Sequence, residues 1–390
     1  MTVRPGIEVL CEDRAHLVRN ARVGLLAHPA SVDRDLRHAA ERLAEAGAEV
    51  VRLFAPEHGV TGGTQDMVPV GERRDPVTGL PVVSLYGETE DSLVPRPEHL
   101  AGLDALVIDL QDVGARYYTF AATAIRALGP SAEAGVRVIA CDRPNPVGGD
   151  LVEGNTVEPA FRSFVGELPV PQRHGMTIGE LVRFAARVRA IDVDLEVIPC
   201  DGWHRADDFA ATGLPWVLPS PNMPTPDTAL VYPGTCLLEG TNLSEGRGTT
   251  RPFEIVGAPW LDPRALADAL AAEAFPGVRF RPLAFVPTFH KHAGTPCGGV
   301  QLHVFDRRAF RPVLTGLAVV IAARRLAPDR FAWRTEPYEF VADRPAFDLL
   351  AGTDTWRRAI EEGASAREIA AGFRVHEAEQ RSRIAELGLY

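Results

Sequence analysis

The chain has 390 residues, a length that predicts two or three domains, or one large α/β unit with an appendage. Its composition, 46% hydrophobic and 24% charged, is typical of a globular protein and excludes a mainly disordered or collagen-like chain. No apolar run approaches the roughly 18–20 residues needed to cross a bilayer, so we expect no membrane insertion.

The charged residues argue against a nucleic-acid partner. Lys and Arg number 41 against 52 Asp and Glu, which gives a net charge of −11, and Lys291 is the only lysine. Nucleic-acid binding usually needs a basic face, which such a chain does not predict. A local basic cleft for an acidic small molecule is compatible with the same charge.

The cysteines predict neither a zinc cluster nor a disulfide framework. All five are widely spaced, and no two form a C-x-x-C pair. We therefore predict no metal and no cofactor. The first residues of the chain lack the apolar segment of a signal peptide, which for the chain as written predicts a cytoplasmic location.

The first half alternates short apolar strands with amphipathic helices. The predicted strands are Arg22–Ala27, Glu49–Phe54, Pro81–Leu85, Ala105–Leu110, Val136–Cys141 and Asp194–Ile198. The predicted helices are Asp33–Gly47, Thr119–Ala134 and Thr177–Ala190, the last with a capping box of Thr177 and Glu180. This alternation predicts a parallel sheet covered by helices on both faces, with ligands bound beyond the carboxyl ends of the strands. No G-x-G-x-x-G follows the first strand and there is no Walker A lysine motif, so a nucleotide site is not predicted.

The second half begins with a change in composition. Leu218–Gly234 holds five prolines, which predicts an ordered irregular loop. The elements predicted beyond it are helices near Asp262–Ala274, Arg308–Arg325, Thr355–Glu362 and Ser365–Leu387, and strands near Val278–Val286 and Gly299–Phe305. We predict a domain boundary between about residues 200 and 250 and divide the chain into 1–235 and 236–390.

The first candidate for chemistry is Phe54–Gly63, FAPEHGVTGG. Glu57 and His58 directly follow a predicted strand and enter a glycine-rich loop. A carboxylate at the carboxyl end of a sheet strand is well placed to act as a general acid. The alternative is a Glu–His pair solvated in a surface turn.

The second candidate is Asp109–Tyr118, DLQDVGARYY, in which polar and aromatic residues crowd one turn. Aromatic faces and planar polar groups suit a sugar, so we expect substrate contacts from the following residues: Gln111, Asp112, Arg116, Tyr117 and Tyr118. The alternative is an ion pair of Asp109 with Arg116 and tyrosines that only pack.

The third candidate is Asp142–Gly149, DRPNPVGG, a proline-stiffened loop after the fifth strand. Arg143 is placed to clamp a carboxylate bidentately, and Asn145 is a further candidate for substrate binding. The alternative is a structural turn that Asp142 caps.

The fourth candidate is Tyr232–Arg251, YPGTCLLEGTNLSEGRGTTR. It combines two acids, Glu239 and Glu245, with Asn242 and Arg247 in a glycine-rich loop, a mixture suited to reading a substrate. The alternative is a mobile loop with solvated charges. The segment before it offers Asn222 and Asp227 as further contacts.

The last candidate is Pro287–Gly299, PTFHKHAGTPCGG. His290 and His292 flank Lys291, but a metal ion needs ligands that face one way, and adjacent side chains on a strand alternate. Lys291 is a candidate for holding an anionic group of the ligand.

Taken in order, these segments resemble the exo-β-N-acetylmuramidases, the NamZ or YbbC-like family long known only as a domain of unknown function. The resemblance rests on LFAPEHGVTGG, LYG, VIDLQDVGARYYTF, CDRPNPVGG, PQRHGMTIGEL, LPSPNMP, LLEGTNLSEGRGTTRPFE and HAGTPCGGVQLHV, and runs from about residue 20 to the C-terminus. It implies a Rossmann-like N-terminal domain, a smaller α+β C-terminal domain and an active site in the cleft between them.

The resemblance also implies release of N-acetylmuramic acid (MurNAc) from the non-reducing end of peptidoglycan fragments. The small substrate would be MurNAc-β-1,4-N-acetylglucosamine (MurNAc-GlcNAc) without its peptide. Members of the family are often exported for wall recycling. Glu57, in the PEHG segment, is at the position that we would assign to the catalytic acid.

Several roles stay open at this stage. The second catalytic group is one of Glu239, Glu245, Asp112 and Asp142, or the substrate's own acetamido group. Three cations are candidates for the lactyl carboxylate of MurNAc, and they are Arg143, Arg247 and Lys291. Tyr117 and Tyr118 would be sugar platforms, and His58 would tune the protonation of Glu57.

Two other functions are possible on the residues alone. One is a non-catalytic binder of wall fragments, which would bind the disaccharide without turning it over. The other is a metal-dependent amidase that uses His58, His290 and His292, whose activity chelation would abolish.

Overall fold

A computed structural model describes residues 2–65, 67–69 and 73–390. Their first half forms a sheet of seven strands in the order β3-β4-β2-β1-β5-β6-β7, in which β3 pairs antiparallel with β4 and the other neighbours are parallel. The strands are β1 Arg22–Ala27, β2 Glu49–Ala55, β3 Arg73–Arg74, β4 Pro81–Ser84, β5 Ala105–Asp109, β6 Arg137–Cys141 and β7 Leu195–Ile198.

Helices cover both faces of this sheet, as predicted. They are α1 Gly6–Asp13, α2 Ala39–Glu45, α3 Pro97–Leu100, α4 Thr119–Arg126, α5 Leu128–Glu133, α6 Ile178–Val188, α7 Phe209–Thr212 and α8 Pro226–Thr235. Successive strand residues serve opposite faces: Leu25 packs in the core that contains Leu10 of α1 and Leu43 of α2, whereas Leu26 packs in the core that contains Leu181 of α6. This burial on both sides explains why the strands are apolar throughout.

The remaining residues form a smaller α+β unit. Its antiparallel sheet has the order β8-β10-β9, with strands β8 Ile255–Ala258, β9 Val278–Phe285 and β10 Cys297–Val304. Its helices are α9 Pro263–Ala272, α10 Pro312–Leu326, α11 Ala346–Ala351, α12 Thr355–Glu361, α13 Ala366–Ala370 and α14 Phe373–Leu387. The predicted fold class, a parallel α/β unit followed by an α+β unit, is confirmed.

Several predicted elements differ in part from the structure: the helices predicted over Thr119–Ala134 and Ser365–Leu387 are each divided in two, and local hydrogen bonds explain two further differences. The helix expected from Asp33 begins only at Ala39, because the Asp33 carboxylate accepts the backbone N–H groups of Asp35 and Arg37 and holds a turn there. The proline-rich loop expected over 218–234 becomes helix α8 from Pro226, since Thr225 caps the helix and a proline at its first position loses no hydrogen bond.

Helices α8 and α10 pack closely across the two units. A Cβ on Gly316 of α10 would lie 2.1 Å from the carbonyl oxygen of Gly234 in α8, so the backbones touch only because both residues are glycine. Glu153 of the first unit accepts the N–H groups of Val313 and Leu314 at the start of α10. The division at residues 235 and 236 stays a prediction. None of the described helices has both the length and the apolarity to cross a membrane.

Candidate active site

Glu57 lies two residues beyond β2, at the carboxyl edge of the parallel sheet. Its side chain is buried, with 4% exposure. Oε1 accepts the backbone N–H of Met67 at 3.0 Å, and Oε2 accepts the hydroxyl of Thr119, the first residue of α4, at 2.7 Å. Both donors are neutral, and no cationic side chain in the described part of the chain forms an ion pair with Glu57. The carboxylate is therefore fixed in place without a counter-charge.

His58 is buried beside it in a left-handed backbone conformation, with φ +70°. Its Nδ1 lies 2.8 Å from the carbonyl oxygen of Thr64, and because a carbonyl only accepts, Nδ1 carries the proton. The ring also packs edge-on against Phe120. A non-glycine residue in this conformation is held by its surroundings, so the Glu57–His58 turn is an ordered feature and not a solvated surface pair.

One pocket joins Glu57 to the second unit of the chain. Its lining residues come from the segments after β2, β5 and β6 and from segments beyond residue 217. They are Glu57, His58, Tyr117, Tyr118, Thr119, Val165, Ser220, Asn222, Met223, Tyr232, Glu239, Arg247, Phe253, Tyr338 and Glu339. Three glutamates, Glu57 of the first unit and Glu239 and Glu339 of the second, thus share the pocket with a cluster of aromatic rings.

Glu239 is the second acid on this pocket, and its partners differ from those of Glu57. It is buried in the short 3-10 turn Cys236–Gly240. Oε1 accepts Nη1 of Arg247 at 2.8 Å, and Oε2 accepts the hydroxyl of Tyr338 at 2.7 Å. The guanidinium compensates the charge of Glu239, whereas neutral groups surround that of Glu57.

Glu245 lies behind Arg247 and does not line the pocket. It is fully buried and contacts Arg247 Nη1 at 3.1 Å, His290 Nδ1 at 3.0 Å and Lys291 Nζ at 3.0 Å. Burial alone would raise the pKa of Glu245, but Lys291, His290 and Arg247 hold that pKa well below its usual range. The mobile loop with solvated charges, considered as the alternative for this segment, is therefore not what forms here, and its charges lie in a buried ionic cluster.

The predicted sugar-stacking tyrosines line the pocket and also pack against other rings. Tyr117 and Tyr118 each meet Tyr232 edge-to-face, at centroid distances of 5.8 and 5.9 Å, and Tyr232 meets Phe253 at 4.7 Å. Burial raises the pKa of Tyr117, Tyr118 and Tyr232 well above the usual value, so these hydroxyls stay protonated.

Three predicted residues in the turn after β5 make structural contacts away from this pocket. Gln111 donates to the carbonyls of Asp112 and Pro144. Asp112 accepts the N–H of Gly114. Arg116 donates to backbone carbonyls, and its acceptors are Asn155, Val170 and Leu350. The ion pair considered for Arg116 and Asp109 is absent.

The candidate residues after β6 also make structural contacts within the protein. Arg143 forms a bidentate pair with Asp109 at 2.6 and 2.8 Å. Asp142 caps α6 by accepting the Thr177 hydroxyl and the Gly179 N–H, and burial raises its pKa to about 6. Asn145 bridges the carbonyl of Met176 and the N–H of Val147.

The remaining predicted residues divide between the pocket and a separate cavity. Asn222 lines the pocket and donates to Gln65. Asp227 is outside it and pairs with Arg307. The separate cavity is lined by Thr241, Asn242, His290, Lys291, His292, Ala332, Trp333, Arg334 and Glu336. His58 thus lies apart from His290 and His292, and the described residues contain no cluster of three potential metal ligands.

Some pocket residues were not predicted from the sequence. Thr119 directly follows Tyr118 in the loop after β5, and its position at the start of a predicted helix beside that loop was a usable signal. Ser220 lies in the LPSPNMP motif already recognised. Tyr338 lies 99 residues from Glu239, and nothing in its local sequence indicates that contact.

The pocket is lined by aromatic rings and three glutamates, of which Glu57 and Glu239 have different partners. This is the kind of site found in glycoside hydrolases. The comparisons agree. The model for the N-terminal part of exo-β-N-acetylmuramidase NamZ matches residues 23–227, and the model for its C-terminal part matches residues 230–390. The chain belongs to the exo-β-N-acetylmuramidase NamZ family, as its motifs predicted.

Individual relatives cover nearly the whole chain. The peptidoglycan β-N-acetylmuramidase NamZ of Bacillus subtilis (strain 168) is 45% identical over 368 residues, which make up 94% of this chain and 86% of that protein. Crystal structures of two DUF1343 family proteins of Bacteroides fragilis NCTC 9343 superpose with TM-scores of 0.88 and 0.76 at 32% and 29% identity. Each covers 100% of this chain and 99% of its own.

Proposed function

We propose that this protein hydrolyses the β-glycosidic bond of MurNAc at the non-reducing end of peptidoglycan fragments, with MurNAc-GlcNAc as a small substrate. Membership of the NamZ family and the name of the Bacillus subtilis relative support the reaction. The observation that carries it is the single pocket in which Glu57 has neutral partners and Glu239 a cationic one.

In this proposal Glu57 is the general acid. It protonates the glycosidic oxygen as the bond to the leaving GlcNAc breaks. Thr119 and the N–H of Met67 orient its carboxyl group. Since no described cation pairs with Glu57, the group can pass between its neutral and charged forms without breaking an ion pair.

Glu239 supplies the negative charge that an oxocarbenium-like transition state needs. Arg247 and Tyr338 fix both of its oxygens. Of the other acids considered for this role, Glu245 is enclosed by Arg247, His290 and Lys291, Asp142 caps a helix, and Asp112 accepts a backbone N–H. Of these candidates, Glu239 is the one that lines the pocket with Glu57; Glu339, which also lines it, accepts the hydroxyl of Tyr86.

Arg247 is assigned to the lactyl carboxylate of MurNAc. Among the three cations considered, Arg247 is the one that lines the pocket with Glu57, whereas Arg143 and Lys291 line other cavities. The lactyl group is what distinguishes MurNAc from GlcNAc, so this contact would set the specificity.

A pair of chromogenic substrates tests the reaction and its specificity. We expect 4-nitrophenyl β-MurNAc to be hydrolysed with a kcat/KM about 10–100-fold above that of 4-nitrophenyl β-GlcNAc, the range expected for one hydrogen-bonded charge contact. Faster hydrolysis of the GlcNAc glycoside would contradict the assigned substrate. Saturable binding of MurNAc-GlcNAc without any turnover would instead support a non-catalytic binder.

A further inference from the structure

Lys291 is the only lysine among 41 cationic Lys and Arg residues, so the other 40 are arginine. This position therefore departs from the use of arginine elsewhere in the chain. The contacts of Lys291 show what that place requires.

The ammonium group of Lys291 has three acceptors for its three protons. Nζ lies 2.9 Å from the carbonyl oxygen of Leu238, 3.0 Å from that of Leu243 and 3.0 Å from Oε2 of Glu245. An ammonium directs its donors away from one compact centre, whereas the donors of an arginine lie in a plane on a larger group. Three acceptors converging at about 3 Å on one atom therefore suit lysine and not arginine.

Through these three acceptors, Lys291 is connected to Glu239 by two sets of contacts. Leu238 precedes Glu239 in the 3-10 turn Cys236–Gly240, so Lys291 holds the backbone of that turn directly. Glu245 contacts Nη1 of Arg247, and the same Nη1 donates to Oε1 of Glu239. Lys291 thus fixes both the backbone that carries Glu239 and the cation that orients its carboxylate.

Burial makes this arrangement sensitive to the loss of one member. Glu245 has no exposed surface, and the Lys291 side chain is 17% exposed. Removing one partner of a buried ion pair leaves an uncompensated charge that the surrounding structure must move to accommodate. Any such movement would displace Arg247 and the turn that carries Glu239.

We propose that Lys291 is a positioning residue for Glu239, tying Leu238, Leu243 and Glu245 together through one ammonium group. This inference rests on the catalytic role proposed for Glu239. Lys291 itself contacts no substrate, because all three of its protons are used within the protein.

Two substitutions distinguish the effect of the geometry of the Lys291 ammonium group from the effect of its charge. Lys291→Arg keeps the charge and Lys291→Met removes it, and we expect both to lower kcat about 100-fold, the effect of misplacing a catalytic group by about 1 Å. KM should rise by a smaller factor than kcat falls, because Arg247 is the one proposed substrate contact that the movement reaches and the others are retained. Arg325→Met, at an exposed position near the end of α10, is the control and should match the wild type. A kcat for Lys291→Arg close to the wild-type value would overturn the proposal.

Chemical rescue distinguishes the loss of the ammonium group from poor folding of the variant. Lys291→Cys alkylated with 2-bromoethylamine regains an ammonium at nearly the same distance from the backbone, and we expect kcat to recover at least about 10-fold over the unalkylated variant. The wild type, which has five cysteines of its own, is treated in parallel. Absence of recovery in a variant whose circular dichroism and Tm match the wild type would overturn the role.

A measurement without turnover tests the geometry. In an Arg325→Lys chain, the introduced lysine is an exposed reference, and Lys291 should react with an acetylating ester at least about 10-fold more slowly, because its protons are held by three acceptors. Equal rates would overturn the proposal. Wild-type turnover is measured first, and its absence would contradict the proposed function. If the wild type is active, slow acetylation of Lys291 together with full activity of Lys291→Arg would contradict the positioning role alone.

Discussion

Glu57→Gln is expected to lower kcat for MurNAc-GlcNAc by about 10²–10⁴-fold, the usual contribution of a general acid. The amide keeps the size of the side chain but cannot protonate the glycosidic oxygen. Glutamine can accept the Met67 N–H with its amide oxygen and donate its amide N–H to the Thr119 hydroxyl oxygen, so the fold should be unchanged. Initial rates of GlcNAc release, measured beside the Tm of each protein, give the result.

The leaving group distinguishes a general acid from any other essential residue. A 4-nitrophenolate leaves without protonation, so Glu57→Gln should lower the rate of aryl-glycoside cleavage by less than about 10-fold. Glu88→Gln is the matched control, because Glu88 is an exposed glutamate in the loop after the neighbouring strand β4. An equal, large loss on both substrates would remove Glu57 from the role of acid.

Glu239→Gln is expected to lower kcat by about 10²–10³-fold on the disaccharide and on the aryl glycoside alike. The substitution removes the charge proposed to stabilise the transition state, and this charge is needed whatever the leaving group. It also leaves Arg247 with one carboxylate partner fewer. Steady-state kinetics on both substrates measure the effect.

The comparison of the two variants assigns the roles. If Glu239→Gln were sensitive to the leaving group and Glu57→Gln were not, the acid would be Glu239 and the assignment would be reversed. Glu362→Gln, an exposed glutamate outside the pocket, controls for the loss of one negative charge and should retain wild-type kinetics.

The parallel sheet could be predicted because its strands are buried on both faces. Leu25 and Leu26 pack into different cores, and such burial leaves continuous apolar runs that the sequence displays. The errors came from local hydrogen bonds that compete with these patterns. Asp33 binds nearby N–H groups in a turn where the spacing of apolar residues indicated a helix, and Thr225 caps a helix where prolines indicated a loop.

The position of Glu57 could be predicted because it follows a strand. Glu57 lies directly after β2, and the carboxyl edge of a parallel sheet is where ligands bind. Polar residues after the other strands gave the same signal, yet Asp142 caps a helix and Arg143 pairs with Asp109. A polar residue at a strand end can hydrogen-bond to backbone groups as readily as it binds a ligand. Only its tertiary contacts show which of the two roles it has.

The most direct test of the account is the cleavage of two isomeric disaccharides by the purified protein. MurNAc-GlcNAc should yield free MurNAc and GlcNAc, identified by mass spectrometry, with the same rate in the presence of EDTA, whereas GlcNAc-MurNAc should remain intact. Release of sugars from GlcNAc-MurNAc, or no cleavage of MurNAc-GlcNAc, would contradict the proposal that this pocket removes MurNAc from the non-reducing end.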